Sequence, residues 1–200
     1  MSSPAESGGR GLREIARDAV RSRITEVALE LFAEHGFDNV TVEQIAAEVG
    51  ISARSFNRYF PTKEDAALGD AFRWGHVVRD NLATRPADES VWTSLQASYE
   101  ALLAIAPRHV EQDKRSMQVL MSTSSLRAKN IEKHLSWANL LTPVVADRLR
   151  GDDREYRAAT IVQASLVCFD IAMQAWAKPG EQTPPTEFLR TAFDQLRDLG

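Results

Sequence analysis

Residues 41–59 read TVEQIAAEVGISARSFNRY, and this stretch decides the fold. Thr41 with Gln44 three residues on has the form of a capping box, which opens a helix. Ala46 supplies the small side chain needed where two helices cross steeply, and Gly50 supplies the positive φ of a tight turn four residues later. Ser52 caps a second short helix. Ile45, Val49, Ile51 and Phe56 are the positions that such a pair buries, which leaves Ala53, Arg54, Asn57 and Arg58 on the outer face of the second helix. Arg and Asn carry the paired donors and acceptors that match guanine and adenine edges in a major groove. Ser52, Ser55 and Tyr59 offer hydroxyls to phosphates, and helix N-termini offer free N–H groups. The competing reading is a buried helical hairpin with a solvated polar face. Cap, small residue, turn glycine, apolar positions and acid-free outer face agree on a DNA-reading helix-turn-helix instead.

Working outward, Ile24, Val27, Ala28, Leu31 and Phe32 form the stripe of a half-buried helix, which Gly36 ends. Thr62 precedes Lys63-Glu64-Asp65, a capped first turn. Further starts fall at Ser90, Pro107, near Leu126 and at Asp152-Asp153. A last helix runs from about Thr186 to Leu199, and Pro143 lies inside the Leu126–Leu149 segment. The Ser/Gly/Pro-rich first ten residues are expected to be mobile. No segment sustains apolar/polar alternation, so the predicted fold class is all-α.

The formal net charge is −4, with 44% hydrophobic and 26% charged residues. Residues 1–70 hold 8 basic and 12 acidic groups, yet Ile51 to Lys63 contains Arg54, Arg58 and Lys63 and no acid. Local rather than total charge therefore points to phosphate contact. Arg10, Arg13, Arg17 and Arg21 fit either an arm reaching a minor groove or a solvated helix face paired with Glu14 and Asp18. No uncharged apolar run approaches the roughly 20 residues of a membrane helix, and the N-terminus lacks the apolar core of a secretory signal. The single Cys168 reads as buried and inert. Together these fit a cytosolic globular protein.

Residues 24–68 resemble the DNA-binding domain of TetR-family transcriptional regulators. The resemblance rests on Ala28, Leu31, Phe32 and Gly36, on the T-V-x-x-I-A segment, and on G-I-S followed by Tyr59, Phe60 and Lys63. It implies an all-α dimer: residues 1–68 a three-helix helix-turn-helix domain, residues 69–200 a helical ligand-binding and dimerisation domain. It also implies that Thr41, Tyr59 and Lys63 hold phosphates. The sequence departs from the family at Asn57, where an aromatic is common, and this leaves Asn57 able to read a base.

In the remaining two thirds, Ala159, Val162, Gln163, Leu166, Val167, Asp170 and Met173 run at helical spacing, as do Phe188, Ala192, Phe193, Leu196 and Leu199. The expected dimer face is Ala159, Val162, Gln163, Leu166, Asp170, Phe188, Ala192, Phe193 and Leu196; the alternative is that both helices are core. Phe72, Trp74, Trp92, Tyr99, Met117, Met121, Trp137, Phe169 and Met173 supply aromatic and thioether groups for an apolar pocket, or for ordinary core. Residues 120–150 resemble the TetR subgroup associated with acyl-coenzyme-A-like ligands, through Leu126-Arg127-Ala128-Lys129 and Glu132-Lys133 with Trp137. That resemblance implies an acyl chain in the cavity, with Arg127 or Lys129 at the phosphates. His35, His76, His109 and His134 lack metal-ligand spacing, so no metal and no cofactor is expected. The functional expectation is a homodimeric repressor released from a pseudo-palindromic operator by a small apolar effector. Its rivals are an activator with the same DNA contacts, and an all-α enzyme using His109 with Glu111 or Asp113 in an aromatic pocket.

Overall fold

The computed structural model describes residues 5–105 and 110–197, and every regular element among them is helical. The helices are α1 (Ala5–His35), α2 (Val42–Val49), α3 (Ala53–Tyr59), α4 (Lys63–Leu68), α5 (Ala71–Ala83), α6 (Val91–Ile105), α7 (Val110–Ser122), α8 (Ser124–Ala146), α9 (Arg154–Trp176) and α10 (Pro185–Arg197), with a 3-10 turn at Phe37–Asn39. The start signals act where the sequence puts them. Thr41 and Gln44 make both bonds of a capping box, and Ser52, Thr62 and Thr123 accept from the third residue of their helices. Ser90 Oγ accepts from Thr93 N–H at 3.1 Å.

One departure concerns an end. α1 begins at Ala5, so part of the segment expected to be mobile is helical, and Arg13 and Arg17 are exposed residues on a continuous helix rather than on an arm. The predicted start at Pro107 and the Leu199 position lie outside the described residues, as does His109.

The helices enclose two apolar cores. The first gathers Ile24, Val27, Phe32, Ile45, Phe56, Phe60 and Leu68 from α1–α4, and is completed by Val119 and Leu120 of α7 and Leu126 of α8. The second holds Val78, Leu82, Leu95, Tyr99, Trp137, Leu141, Val162, Leu166, Phe169 and Phe193 from α5, α6 and α8–α10. α9 is long and apolar enough to cross a membrane by length and composition. Asp170 interrupts it, and its stripe from Ala158 to Trp176 is buried in the helical core.

Candidate nucleic-acid interface

α2 and α3 are locked before any ligand arrives. Gly50 takes φ 80° and ψ 29°, and its N–H meets the Ala46 and Ala47 carbonyls. Ile51 N–H donates to the Ala46 carbonyl at 2.9 Å. Ala46, Ile45 and Phe56 are buried at the crossing, while Val49 and Ile51 are half-buried. Ser52 Oγ accepts from Ser55 N–H at 3.1 Å and lies 3.0 Å from the Ser55 hydroxyl. α3 therefore presents a fixed face.

On that face Arg54, Asn57 and Arg58 are exposed, and they make no hydrogen bond or ion pair among the described residues. Ser52 is exposed beside them, with Ala53 and Ser55 half-buried. Thr41 is exposed at the start of α2, and Tyr59 is half-buried against the first core. Three long polar side chains with no internal partner on a seven-residue helix are available to another molecule.

Lys63 does not fit its expected role. Its ammonium donates to the Phe37 carbonyl at 2.8 Å and the Val40 carbonyl at 2.9 Å, and stands 4.2 Å from the centroid of the Phe37 ring. Two of its three donors thus hold the 3-10 turn to α4, so it is a brace in this arrangement rather than a free cation. Arg21 is the brace that sequence reading missed. It bonds Asp70 at 3.1 Å and the Tyr59 carbonyl at 2.5 Å, and its guanidinium lies 4.1 Å over Phe60. One arginine of α1 so joins the end of α3 to the α4–α5 corner. The signal was present as an Arg on the inner side of the α1 stripe; the partner 49 residues away was not.

The C-terminal expectations divide in a similar way. Tyr99, Trp137, Phe169 and Met173 are at most 7% exposed and belong to the second core. The Trp92 ring lies tilted 4.5 Å from that of Phe193, and its indole N–H donates to the Phe193 carbonyl at 3.1 Å. The first four side chains are core packing with almost no free surface, and half-buried Trp92 packs against the same core. Phe72 packs on the first core. Arg127 is exposed and donates to the Met121 carbonyl at 2.8 Å. Lys129 bridges Asp65 at 2.9 Å and Glu132 at 2.8 Å, and both carboxylates hold its pKa above the ordinary lysine value. Both cations expected at phosphates are thus engaged elsewhere.

Clefts remain beside the other expected residues. Met117 and Met121 of α7 face Ile171, Gln174 and Ala175 of α9 across a cleft of about 440 Å³. Met117 also lines a second cleft of about 210 Å³ with Leu103, Val110 and Trp176. Trp74 lines a third, about 580 Å³, with Val77, Leu102 and Ile105.

Of the residues expected at a dimer face, Val162, Leu166 and Phe193 are sealed in the second core and have no surface for a partner. Ala159, Gln163 and Leu196 are exposed, and Asp170, Phe188 and Ala192 half-buried. The outer stripe of α9 instead shows Tyr156, Val167 and Ile171, at 77%, 58% and 57% exposure. Of the expected α9 residues, Val162 and Leu166 thus face the core, while Ala159 and Gln163 face outward.

Residues 24–66 match the family model described as bacterial regulatory proteins, tetR family, and residues 89–199 match the MftR C-terminal domain. The chain is 28% identical over 183 residues to a protein of Mycobacterium tuberculosis described as the mycofactocin biosynthesis transcriptional regulator MftR, covering 89% of each. It is 26% identical over 197 residues to the HTH-type transcriptional regulator TcmR of Streptomyces glaucescens, covering 95% of this chain and 86% of that one. Among solved structures, Thermus thermophilus FadR in complex with lauroyl-CoA superposes with a TM-score of 0.55 at 20% identity, over 88% of this chain and 93% of the other.

Proposed function

Because the chain belongs to the TetR family of bacterial regulatory proteins, with a C-terminal domain of the MftR type, we propose that it works as a homodimeric repressor in the cytoplasm. Two α3 helices read the halves of a pseudo-palindromic operator, and an apolar, acyl-bearing effector releases them. Residues 1–68 form the reading unit and residues 69–200 the effector and dimerisation unit. The observation that carries this is the α3 face, where exposed Arg54, Asn57 and Arg58 are left without internal partners on a capped, rigid helix. Arg54 and Asn57 read bases, Arg58 meets bases or the backbone, and Thr41, Ser52, Ser55 and Tyr59 position the helix on phosphates.

The effector acts through the helices shared between the two units. Val119, Leu120 and Leu126 of α7 and α8 belong to the core under the reading helix, while Met117 packs on the other core and separates two clefts. A ligand that wedges α7 from α9 shifts those residues and changes the spacing of the two α3 helices. It does so only as far as it binds the two arrangements unequally. The relatives spanning most of the chain are named transcriptional regulators, and FadR, a structural neighbour, binds lauroyl-CoA. A regulatory rather than catalytic role is part of the same reading.

A mobility-shift titration with the DNA upstream of the protein's own gene tests it. Arg54→Ala is expected to weaken specific binding by roughly 1–3 kcal/mol and to relax base preference. Equal loss on operator and on random duplex contradicts base reading. Footprinting over the promoter separates repression from activation.

A further inference from the structure

The inward stripe of α8 runs Leu126, Asn130, Lys133, Trp137 and Leu141. Leu126 belongs to the first core, and Trp137 and Leu141 to the second. Asn130 and Lys133 therefore occupy the level between two apolar cores, 3% and 5% exposed. From α9, Asp170 reaches the same level. Its Oδ1 accepts from Asn130 Nδ2 at 3.1 Å and its Oδ2 from Gln174 Nε2 at 2.7 Å. His134 Nε2 stands 3.7 Å from Asp170 Oδ1.

The layer is left unsatisfied. Asn130 Oδ1 and His134 Nε2 have no hydrogen-bond partner. The Lys133 ammonium makes no hydrogen bond among the described residues and lies 5.3 Å from the centroid of the Trp137 ring. Desolvating most of a lysine is unfavourable, and an apolar side chain at this place would avoid that penalty. Desolvation holds Lys133 down to about 8 and His134 down to about 4, with Asp170 opposing both. The groups on offer are donors, from Lys133 and from an imidazole N–H, set beside one carboxylate already used by two amides. A phosphate dianion would meet a single cation and face Asp170. A single acyl oxygen suits the donors and the charge. Gln174, which holds Asp170, also lines the α7–α9 cleft, so the layer adjoins an apolar space of about 440 Å³.

We propose that this layer is the polar end of the effector site. Lys133 and His134 donate to the carbonyl or carboxylate oxygen of a fatty-acyl compound, and its tail lies in the cleft among Met117, Met121, Ile171 and Ala175. The assignment rests on reading the C-terminal helices as the effector unit. It names Lys133 as the residue that selects an oxygen-headed chain over a plain hydrocarbon or an amine.

The test is a titration of the full-length protein, followed by tryptophan fluorescence, with laurate, with lauroyl-CoA and with dodecylamine. Wild type is expected to bind at least one of the two acyl probes and to bind dodecylamine at least tenfold more weakly. Lys133→Met is expected to lose tenfold or more in acyl affinity, with ligand-free operator retardation unchanged. Tighter laurate identifies a carboxylate ligand, and tighter lauroyl-CoA a thioester; either supports the site. Should Lys133→Met fail to fold, Lys133→Ala is read against the same threshold. Acyl affinities equal in wild type and variant overturn the proposal, and so does wild type that binds neither acyl probe or binds dodecylamine as well as them. Acyl binding that depends on Lys133 in a protein that retards no operator sustains the acyl site and defeats the operator reading alone.

Discussion

Lys63 and Lys133 show how a side chain's job depends on what its charge meets. The Lys63 ammonium closes the 3-10 turn against α4 through two carbonyls. Lys63→Met keeps the stem and removes both bonds, so it is expected to cost about 1–3 kcal/mol of stability. Chemical denaturation of the ligand-free chain reads this, and a loss confined to DNA affinity contradicts it. Lys133 has the opposite sign. Burial lowers its pKa from the ordinary 10.5 to about 8, against the pull of Asp170 and beside His134. Between those values the unfolded chain holds more protons than the folded one, so stability rises as pH increases through the window. Below about pH 8 both states are protonated and the penalty is complete, roughly 3 kcal/mol. Lys133→Met is thus expected to stabilise the chain at pH 7, and to abolish the gain that wild type shows from pH 8 to 10 in urea denaturation. Sequence could not separate these two lysines from surface ones. Lys63 follows a cap and Lys133 follows Glu132, and both look solvated until a distant carbonyl or an enclosing core is seen.

At the level of helices, the local signals were legible because each lies within a few residues of its effect. Thr41 with Gln44, Gly50, Ser52 and Thr62 each act on their own turn. Which side of a helix meets which neighbour is a property of the assembled molecule. The α9 stripe shows the difference: Val162 and Leu166 share the apolar period with Val167 and Ile171, yet the first pair is core and the second exposed. The aromatic supply fits pocket or core equally in sequence for the same reason: Tyr99 and Phe169 stack at 5.0 Å and fill each other's space, whereas Trp74 lines a cleft. Helix crossing also explains Gly75. A Cβ there comes within 2.7 Å of Trp137 Cδ1, so α5 and α8 meet at a place where only hydrogen fits. Alanine in an exposed helix would gain about 1 kcal/mol over glycine. Here Gly75→Ala is expected to lose about 1–3 kcal/mol through the clash. A thermal midpoint at or above wild type contradicts that packing.

For the whole molecule, the outer face of α9 carries Tyr156 and Val167 in the open, large apolar groups that a lone chain has no reason to keep. We assign it to the second subunit, with Gln163 and Ala159 alongside. Val167→Asp places a charge in that seam and leaves the core alone, so sedimentation is expected to show a monomer with unchanged helicity and lost operator retardation. A dimer that survives the change removes the stripe from the interface.

α7 gives Val119 and Leu120 to one apolar centre and Met117 to the other. A wall common to two rooms cannot be taken down for one of them. The DNA-reading end is therefore expected to have no private melting point, and calorimetry of the intact chain to show one heat-absorption peak in which both halves come apart together; two resolved peaks would contradict the shared wall.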